Sequence, residues 1–221
     1  MTGARYNLHG AIGYFGAGGA RTGSELFSVS READGSGVLR AQCVMDYDAL
    51  VRDCLLCLDP DEAPREAFVR TVECGRILGS GHYRFGAGRI LADIVPADGN
   101  PERIEQAEDC RFFGTHSLVN DGWIVRALAG DRIAAITVHA NSLAANGGGV
   151  PGLYATQARI EQHGKERREV AAGTFDCRFV TVTYGDYPPI EMWLCESLDV
   201  LAFMRWDYLD GHYELLSLKQ S

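Results

Sequence analysis

The feature that most constrains this chain is a two-residue rhythm of side chains, broken about every ten residues by turn signals. Gly173–Tyr184 shows it most clearly. Phe175, Cys177, Phe179, Thr181 and Thr183 would face one way along a strand, and Asp176, Arg178, Val180, Val182 and Tyr184 the other. The same rhythm predicts strands over Glu25–Arg31, Gly37–Met45, Val51–Asp59, Arg65–Cys74, Ile77–Phe85 and Arg89–Val95. After the midpoint it resumes over Ile133–Ala140, Tyr154–Gln162, Glu166–Ala172, Ile190–Glu196, Val200–Tyr208 and His212–Leu218. Asp34-Gly35, Gly75, Gly86–Gly88, His163-Gly164 and Asp210-Gly211 supply hairpin turns between them. So many antiparallel strands leave edges that would recruit other chains, and closure removes edges. The expected fold is therefore mostly β, a single antiparallel β-barrel of about ten strands with one or two short helices capping an end. No linker interrupts the pattern, so one domain over 1–221 is expected.

The middle of the chain departs from the rhythm. Asn100-Pro101 predicts the start of a short helix over PERIEQAED, with Asn as N-cap and Pro at the first helical position. A second helix is predicted over Thr115–Leu128, with Thr115 or Ser117 as its cap and with Gly122 inside it costing about 1 kcal/mol relative to alanine. Asn141–Gly152 (NSLAANGGGVPG) reads as a long loop of small residues.

Charge excludes several classes of partner. Thirty acidic residues against 21 basic give a net charge of −9, and the arginines are scattered rather than clustered. The aromatics neighbour acids, as in Asp186-Tyr187 and Trp206-Asp207-Tyr208, where a nucleic-acid face would place basic residues. No nucleic-acid partner is expected. No stretch approaches ~18 apolar residues, and the opening MTGARYNLHGAIGYFGAGGA has no charged start followed by an apolar run. These readings predict no membrane partner and a cytoplasmic location. Seven cysteines follow no disulfide framework, and the strand over Val51–Asp59 puts Cys54 and Cys57 on opposite faces, so they cannot share a metal or a disulfide there.

The closing run PPIEMWLCESLDVLAFMRWDYLDGHYELLSL carries a resemblance. With an acid and then Trp at Glu191–Trp193, an amphipathic strand, and Tyr-Glu-Leu at Tyr213–Leu215, it resembles the last strands of lipocalin-like (calycin-type) barrels. It is also similar to the C-terminal part of an uncharacterised bacterial family of such barrels. Where lipocalins carry Gly-x-Trp near the start, this chain has Gly13-Tyr14-Phe15. The resemblance implies an architecture with an internal cavity.

Motifs for dinucleotide or nucleotide binding fail on inspection. Gly16-Ala17-Gly18-Gly19-Ala20-Arg21 and Gly79-Ser80-Gly81-His82-Tyr83-Arg84 both have Arg where the third glycine is needed, and neither opens a helix after a strand. There is no nucleophile elbow and no His-Glu-x-x-His, and none of the six histidines lies within five positions of another. The expectation is no cofactor and no metal.

What remains is acid–base chemistry in a cavity. His116, Asn120, Asp121 and Trp123 fall within eight residues, with His116 and Asn120 on one helix face. The expected catalytic groups are His116 as acid or base, Asp121 orienting it or acting beside it, and Tyr83 stabilising negative charge. The expected ligand-binding residues are Arg52, Arg84, Trp123, His139, Trp206 and Tyr213. Alternation groups His139 with Thr137 and Asn141 in a polar stripe, and Arg52 with Cys54 and Leu56. Arg52 then reads as an inward charge needing a partner such as Asp93 or Glu191. The expected function is a cofactor-independent enzyme of the lyase, isomerase or hydrolase type, acting on a small hydrophobic or aromatic molecule inside the barrel. The alternative is a non-catalytic binder or carrier of such a molecule. A homodimer through an exposed sheet face stays open.

Overall fold

The structure is a computed structural model, and it describes residues 5–221. Residues 1–4, part of the opening stretch on which the expected location was read, lie outside the described residues.

The first half is a meander. Strands β1 (Tyr6–Phe15), β2 (Arg21–Arg31), β3 (Gly37–Met45), β4 (Leu50–Leu58), β5 (Pro64–Glu73), β6 (Arg76–Gly86), β7 (Arg89–Pro96) and β8 (Glu102–Gln106) follow one another by hairpins. After the two-residue β9 (Phe113–Gly114) and the short helix α1 (Leu118–Asp121), the meander resumes. It runs through β10 (Ile133–Ala140), β11 (Tyr154–Val170), β12 (Gly173–Tyr184), β13 (Ile190–Cys195), β14 (Val200–Trp206) and β15 (Gly211–Gln220). The two halves join where β1 pairs antiparallel with β15, from Leu8 opposite Gln220 to Phe15 opposite His212.

The result is one 15-stranded sheet, in which only the β9–β10 pairing is parallel. It is not closed: among the described residues, β8 and β9 are its two ends. The expected ten-strand closed barrel is therefore corrected to a larger, open sheet. Closure fails because the chain leaves the sheet after β8 and turns inward. The helical segment contacts β3 of the first half and β10, β11 and β14 of the second, so the two halves, joined at β1 and β15, curl around it and their outer strands β8 and β9 do not pair. Register shifts at Ala11/Ile12, Cys57/Leu58, Thr71/Val72 and Trp193/Leu194 help the strands bend.

Alternation sets the concave face. Along β4, Leu50, Arg52, Cys54, Leu56 and Leu58 are buried, while Val51, Asp53, Leu55 and Cys57 between them are partly exposed. Cys54 and Cys57 do face opposite ways, and the cysteines are free thiols.

Three local expectations change. PERIEQAED is not a helix, because its Glu102–Gln106 portion is β8, paired with β7 from Ile94 opposite Glu102 to Ile90 opposite Gln106. Ile104 is the only aliphatic side chain among those five residues, so a helix would have no apolar stripe to bury. As an edge strand the segment gains backbone hydrogen bonds, and Glu102, Arg103 and Glu105 make the edge unattractive to another chain. The helix over Thr115–Leu128 is reduced to α1 and a 3₁₀ segment, Gly122–Leu128. That segment buries Trp123, Ile124, Val125 and Leu128 as a plug within the curled sheet. A side-chain carbon at Gly122 would lie 2.5 Å from the Asp199 carbonyl oxygen, so only glycine allows this approach. Finally, His163-Gly164 is a bulge and not a hairpin turn, and β11 runs through it for 17 residues.

The end of the sheet around the plug is closed by charge. Glu62 pairs with both Arg31 and Arg126, and Asp199 with Arg126 and Arg178. The Arg31 and Arg126 guanidiniums each lie 5.7 Å from the Trp123 ring centroid.

Candidate functional site

The opposite end of the curled sheet holds a cavity of about 690 Å³. Leu118, Val138, Ile190, Met204 and Trp206 give it apolar walls, and Tyr47, Leu143 and Tyr187 stand exposed around its mouth. A polar group lies among these walls: Arg52 from β4, His116 from the turn before α1, Asp121 from α1 and Tyr213 from β15.

The turn before α1 is shaped from several directions. The Thr115 amide donates to Asn120 Oδ1 at 2.9 Å, and His116 takes φ +54°, a left-handed conformation uncommon outside glycine. Thr115 and Ser117 do not cap the helix, since no cap hydrogen bond comes from the Ser117 side chain and the two hydroxyls lie 3.0 Å from each other. The cap arrives instead from β2. Glu25, fully buried, accepts hydrogen bonds from the amides of Leu118 (2.7 Å) and Val119 (2.9 Å). It also accepts from the Tyr14 hydroxyl at 3.1 Å and the Cys43 thiol at 3.4 Å. Burial pushes the Glu25 carboxyl up, against the pull of the Val119 and Leu118 amides and the Cys43 and Tyr14 side chains.

The loop between β10 and β11 straps the mouth. Arg52 donates through Nη1 to the Asn146 carbonyl at 2.6 Å and through Nη2 to the His116 carbonyl. Asn146 Nδ2 donates to Asp48 Oδ2 at 3.0 Å, and the Ser142 hydroxyl to the Gly148 carbonyl at 2.9 Å. Gly147 sits at φ +68°, where a side-chain carbon would come 2.5 Å from Arg52 Nη1 and 2.6 Å from His116 Cβ. Gly147→Ala should therefore displace the strap at a cost of about 1–2 kcal/mol. Hydrogen exchange would register this as faster exchange of amides in 141–152 with the strand amides unchanged. Unaltered protection of the loop would refute it.

Electrostatics separate His116 from Asp121. Burial and the Arg52 charge lower the His116 imidazole to about 4, so it is neutral near pH 7. Its Nδ1 lies 3.2 Å from Asn141 Oδ1, an acceptor, which places the proton on Nδ1 and leaves Nε2 as the basic nitrogen. Asp121 faces the cavity yet is surrounded by protein, and burial, with the Glu25 charge adding to it, raises its carboxyl to about 7. Burial also pushes the Tyr213 hydroxyl up to about 12.

Of the residues expected from sequence, the cavity brings together His116, Asp121, Arg52, Trp206 and Tyr213. The other four lie elsewhere. Tyr83 is fully buried in the core against Phe113, and its hydroxyl donates to the Gly152 carbonyl at 2.7 Å, anchoring the strap from beneath. Arg84 is on the outer face, 2.6 Å from Asp93. Trp123 belongs to the plug at the charged end. His139 is fully buried beside β9 and lies 3.0 Å from Glu108, while its neighbours Val138 and Ala140 line the cavity. The polar stripe of His139 thus faces away from the cavity. Arg52 points inward as alternation predicts, but neither expected partner reaches it, since Asp93 pairs with Arg84 and Arg103 and Glu191 with Arg205.

Sequence reasoning missed Glu25, Asp48 and Tyr184, which also lines the cavity, and named Asn141 only as a member of the His139 stripe. Glu25 left a signal, an acid in the buried register of β2 between Gly23 and Phe27. Among the described residues, no group of three or more His, Cys, Asp or Glu side chains is placed to hold a metal ion.

An open, curled antiparallel sheet around a cavity with a plugged end defines a β-barrel-like protein. Comparison with protein-family models and with curated proteins finds no match. Among solved structures, the chain is similar to the β-barrel-like protein of the DUF1849 domain of unknown function from Brucella abortus. The TM-score is 0.62 and the identity 13%, and the alignment covers 98% of each chain. That similarity shows the fold, and it supports the expected resemblance to uncharacterised bacterial β-barrels without confirming the one to lipocalins. Two further similar structures have lower scores. One is a "putative lipoprotein" from Parabacteroides distasonis, with TM-score 0.32 and 11% identity, covering 98% of this chain and 96% of that one. The other is a "putative exported protein" with a YmcC-like fold from Bacteroides fragilis, with TM-score 0.33 and 12% identity, covering 96% and 95%. At those scores neither bears on the fold. Their names run against a cytoplasmic location, and that expectation is withdrawn.

Proposed function

We propose that the protein binds a small, largely apolar or aromatic molecule in the cavity at the mouth of the curled sheet. The supporting observation is the cavity itself: about 690 Å³, walled by apolar and aromatic side chains, with a few inward polar groups to orient a guest. That volume and that mixture are typical of small-molecule sites. The test is a fluorescence titration with N-phenyl-1-naphthylamine, a neutral apolar probe. The expected result is saturable binding to one site, and its loss in Thr156→Trp, where a half-buried residue that lines the cavity opposite Val138 is enlarged into it. Absence of saturable binding, or undiminished binding in that variant, would sink the reading.

A second reading is favoured by one observation, the Asp121 carboxyl raised to about 7 beside a neutral His116. A group that holds and releases a proton near neutral pH suits general acid–base work. On this reading the protein is a cofactor-independent lyase, isomerase or hydrolase. Asp121 is then the proton carrier, and His116, neutral with Nε2 unprotonated, shares the cavity with it. Asp121, expected to orient His116 or act beside it, takes the leading role on this reading, and Tyr83 has no part.

A further inference from the structure

We propose that the molecule held in this cavity carries a carboxylate head, and that Arg52 receives that head while the apolar walls hold an aliphatic or aromatic tail. The inference rests on the binding reading above and adds the chemical class of the guest.

Arg52 is a buried charge with no direct ion pair among the described residues: it is 2% exposed and lines the cavity, yet no carboxylate lies within ion-pairing distance of it. Two of its nitrogens donate to neutral backbone carbonyls, and its Nε, also buried, has no hydrogen-bond partner. The arginines at the plugged end are treated differently, for Arg31, Arg126 and Arg178 each meet a carboxylate. Leaving a buried guanidinium without a direct ion pair, with Glu25 acting on it only from a distance, is costly, and an anion entering the cavity would offset that cost.

The acids nearby are otherwise engaged. Glu25 spends both oxygens on the Leu118 and Val119 amides, Tyr14 and Cys43. Asp48 accepts from Asn146 across the strap. Asp121, raised to about 7, is not a dependable anion at neutral pH. Arg52 therefore suits an anionic group brought from outside. A carboxylate matches the planar donor fork of a guanidinium. A phosphate dianion fits less well, because Asp48 shares the cavity and would repel its second charge. The walls beyond Arg52, among them Leu118, Met204, Ile190 and Trp206, call for an apolar remainder.

The probes are cis-parinaric acid, a fluorescent long-chain carboxylic acid, and its methyl ester, which differ in charge but share a tail. Wild-type protein at pH 7 is expected to bind the acid at least tenfold more tightly than the ester, with one site for each. Arg52→Gln is expected to bring the affinity for the acid down to that for the ester. Equal affinity of the wild type for acid and ester, with N-phenyl-1-naphthylamine still bound, would overturn the carboxylate head and leave the binding reading intact. Binding of none of the three probes would overturn both. A folded Arg52→Gln that keeps the tenfold preference would overturn the assignment to Arg52. Should that variant not fold, the wild-type comparison decides the question by itself.

Discussion

Replacing Glu25 by alanine is expected to lower the stability of the fold by about 4 kcal/mol, one of the largest losses any single side chain here should produce. The magnitude follows from what is left behind. The amides of Leu118 and Val119 and the hydroxyl of Tyr14 lose their acceptor in a fully buried place, and water cannot replace it without entering the core. Each orphaned donor costs about 1–3 kcal/mol, and the vacated volume adds a cavity term. Glu25→Gln keeps one oxygen as acceptor and should recover about half of the loss. Urea unfolding of the three proteins measures this directly. An alanine variant within about 1 kcal/mol of wild type would mean that the amides of α1 find other partners. The same change should weaken binding of N-phenyl-1-naphthylamine, because Glu25 ties the first turn of α1, and with it Asp121, to the wall of the sheet.

That contact also shows where sequence stops being informative. The strands were legible because burial on one face forces apolar residues into a period of two, and β3 and β12 start and end at the predicted residues. Local patterning also placed Arg52 on the inner face, since Cys54 and Leu56 share its register. β1 was not legible: Tyr6–Phe15 mixes Gly10, Ala11 and Gly13 into its alternation, and its place between β2 and β15 is fixed by pairing with the end of the chain. Hairpin pairing with β7 turned a good helix start at Asn100-Pro101 into an edge strand. The site was half legible. His116, Asp121, Arg52, Trp206 and Tyr213 meet at one end of the sheet. Tyr83, Arg84, Trp123 and His139 carry similar chemistry in strands or helical turns whose direction relative to the cavity depends on how the whole sheet curls. No local period encodes that curl.

Asp121→Asn should uncouple two opposing pH dependences. In an unfolded chain the Asp121 carboxyl ionises near 3.8, and in the fold it does so at about 7. Between those values the folded protein retains a proton that the unfolded chain has released, so this group makes stability fall as pH rises from about 4 to about 7. His116 acts the other way. Its imidazole protonates near 6.5 when unfolded and at about 4 in the fold, so stability rises with pH between about 4 and 6.5. The two slopes oppose each other over most of that window, and the wild-type profile from these groups should be shallow until Asp121 alone declines above 6.5. A three-unit displacement corresponds to about 4 kcal/mol, and screening by water in the cavity should reduce it to about 2 kcal/mol. The asparagine variant, having no proton to release, should therefore gain about 2 kcal/mol over wild type as pH rises from about 4 to about 7. Its own profile should show the His116 slope unmasked, rising up to pH 6.5. Parallel wild-type and variant curves in urea unfolding would mean that Asp121 ionises in the fold as it does in water. The acid–base reading would then lose its proton carrier, while binding by apolar walls and Arg52 would stand untouched.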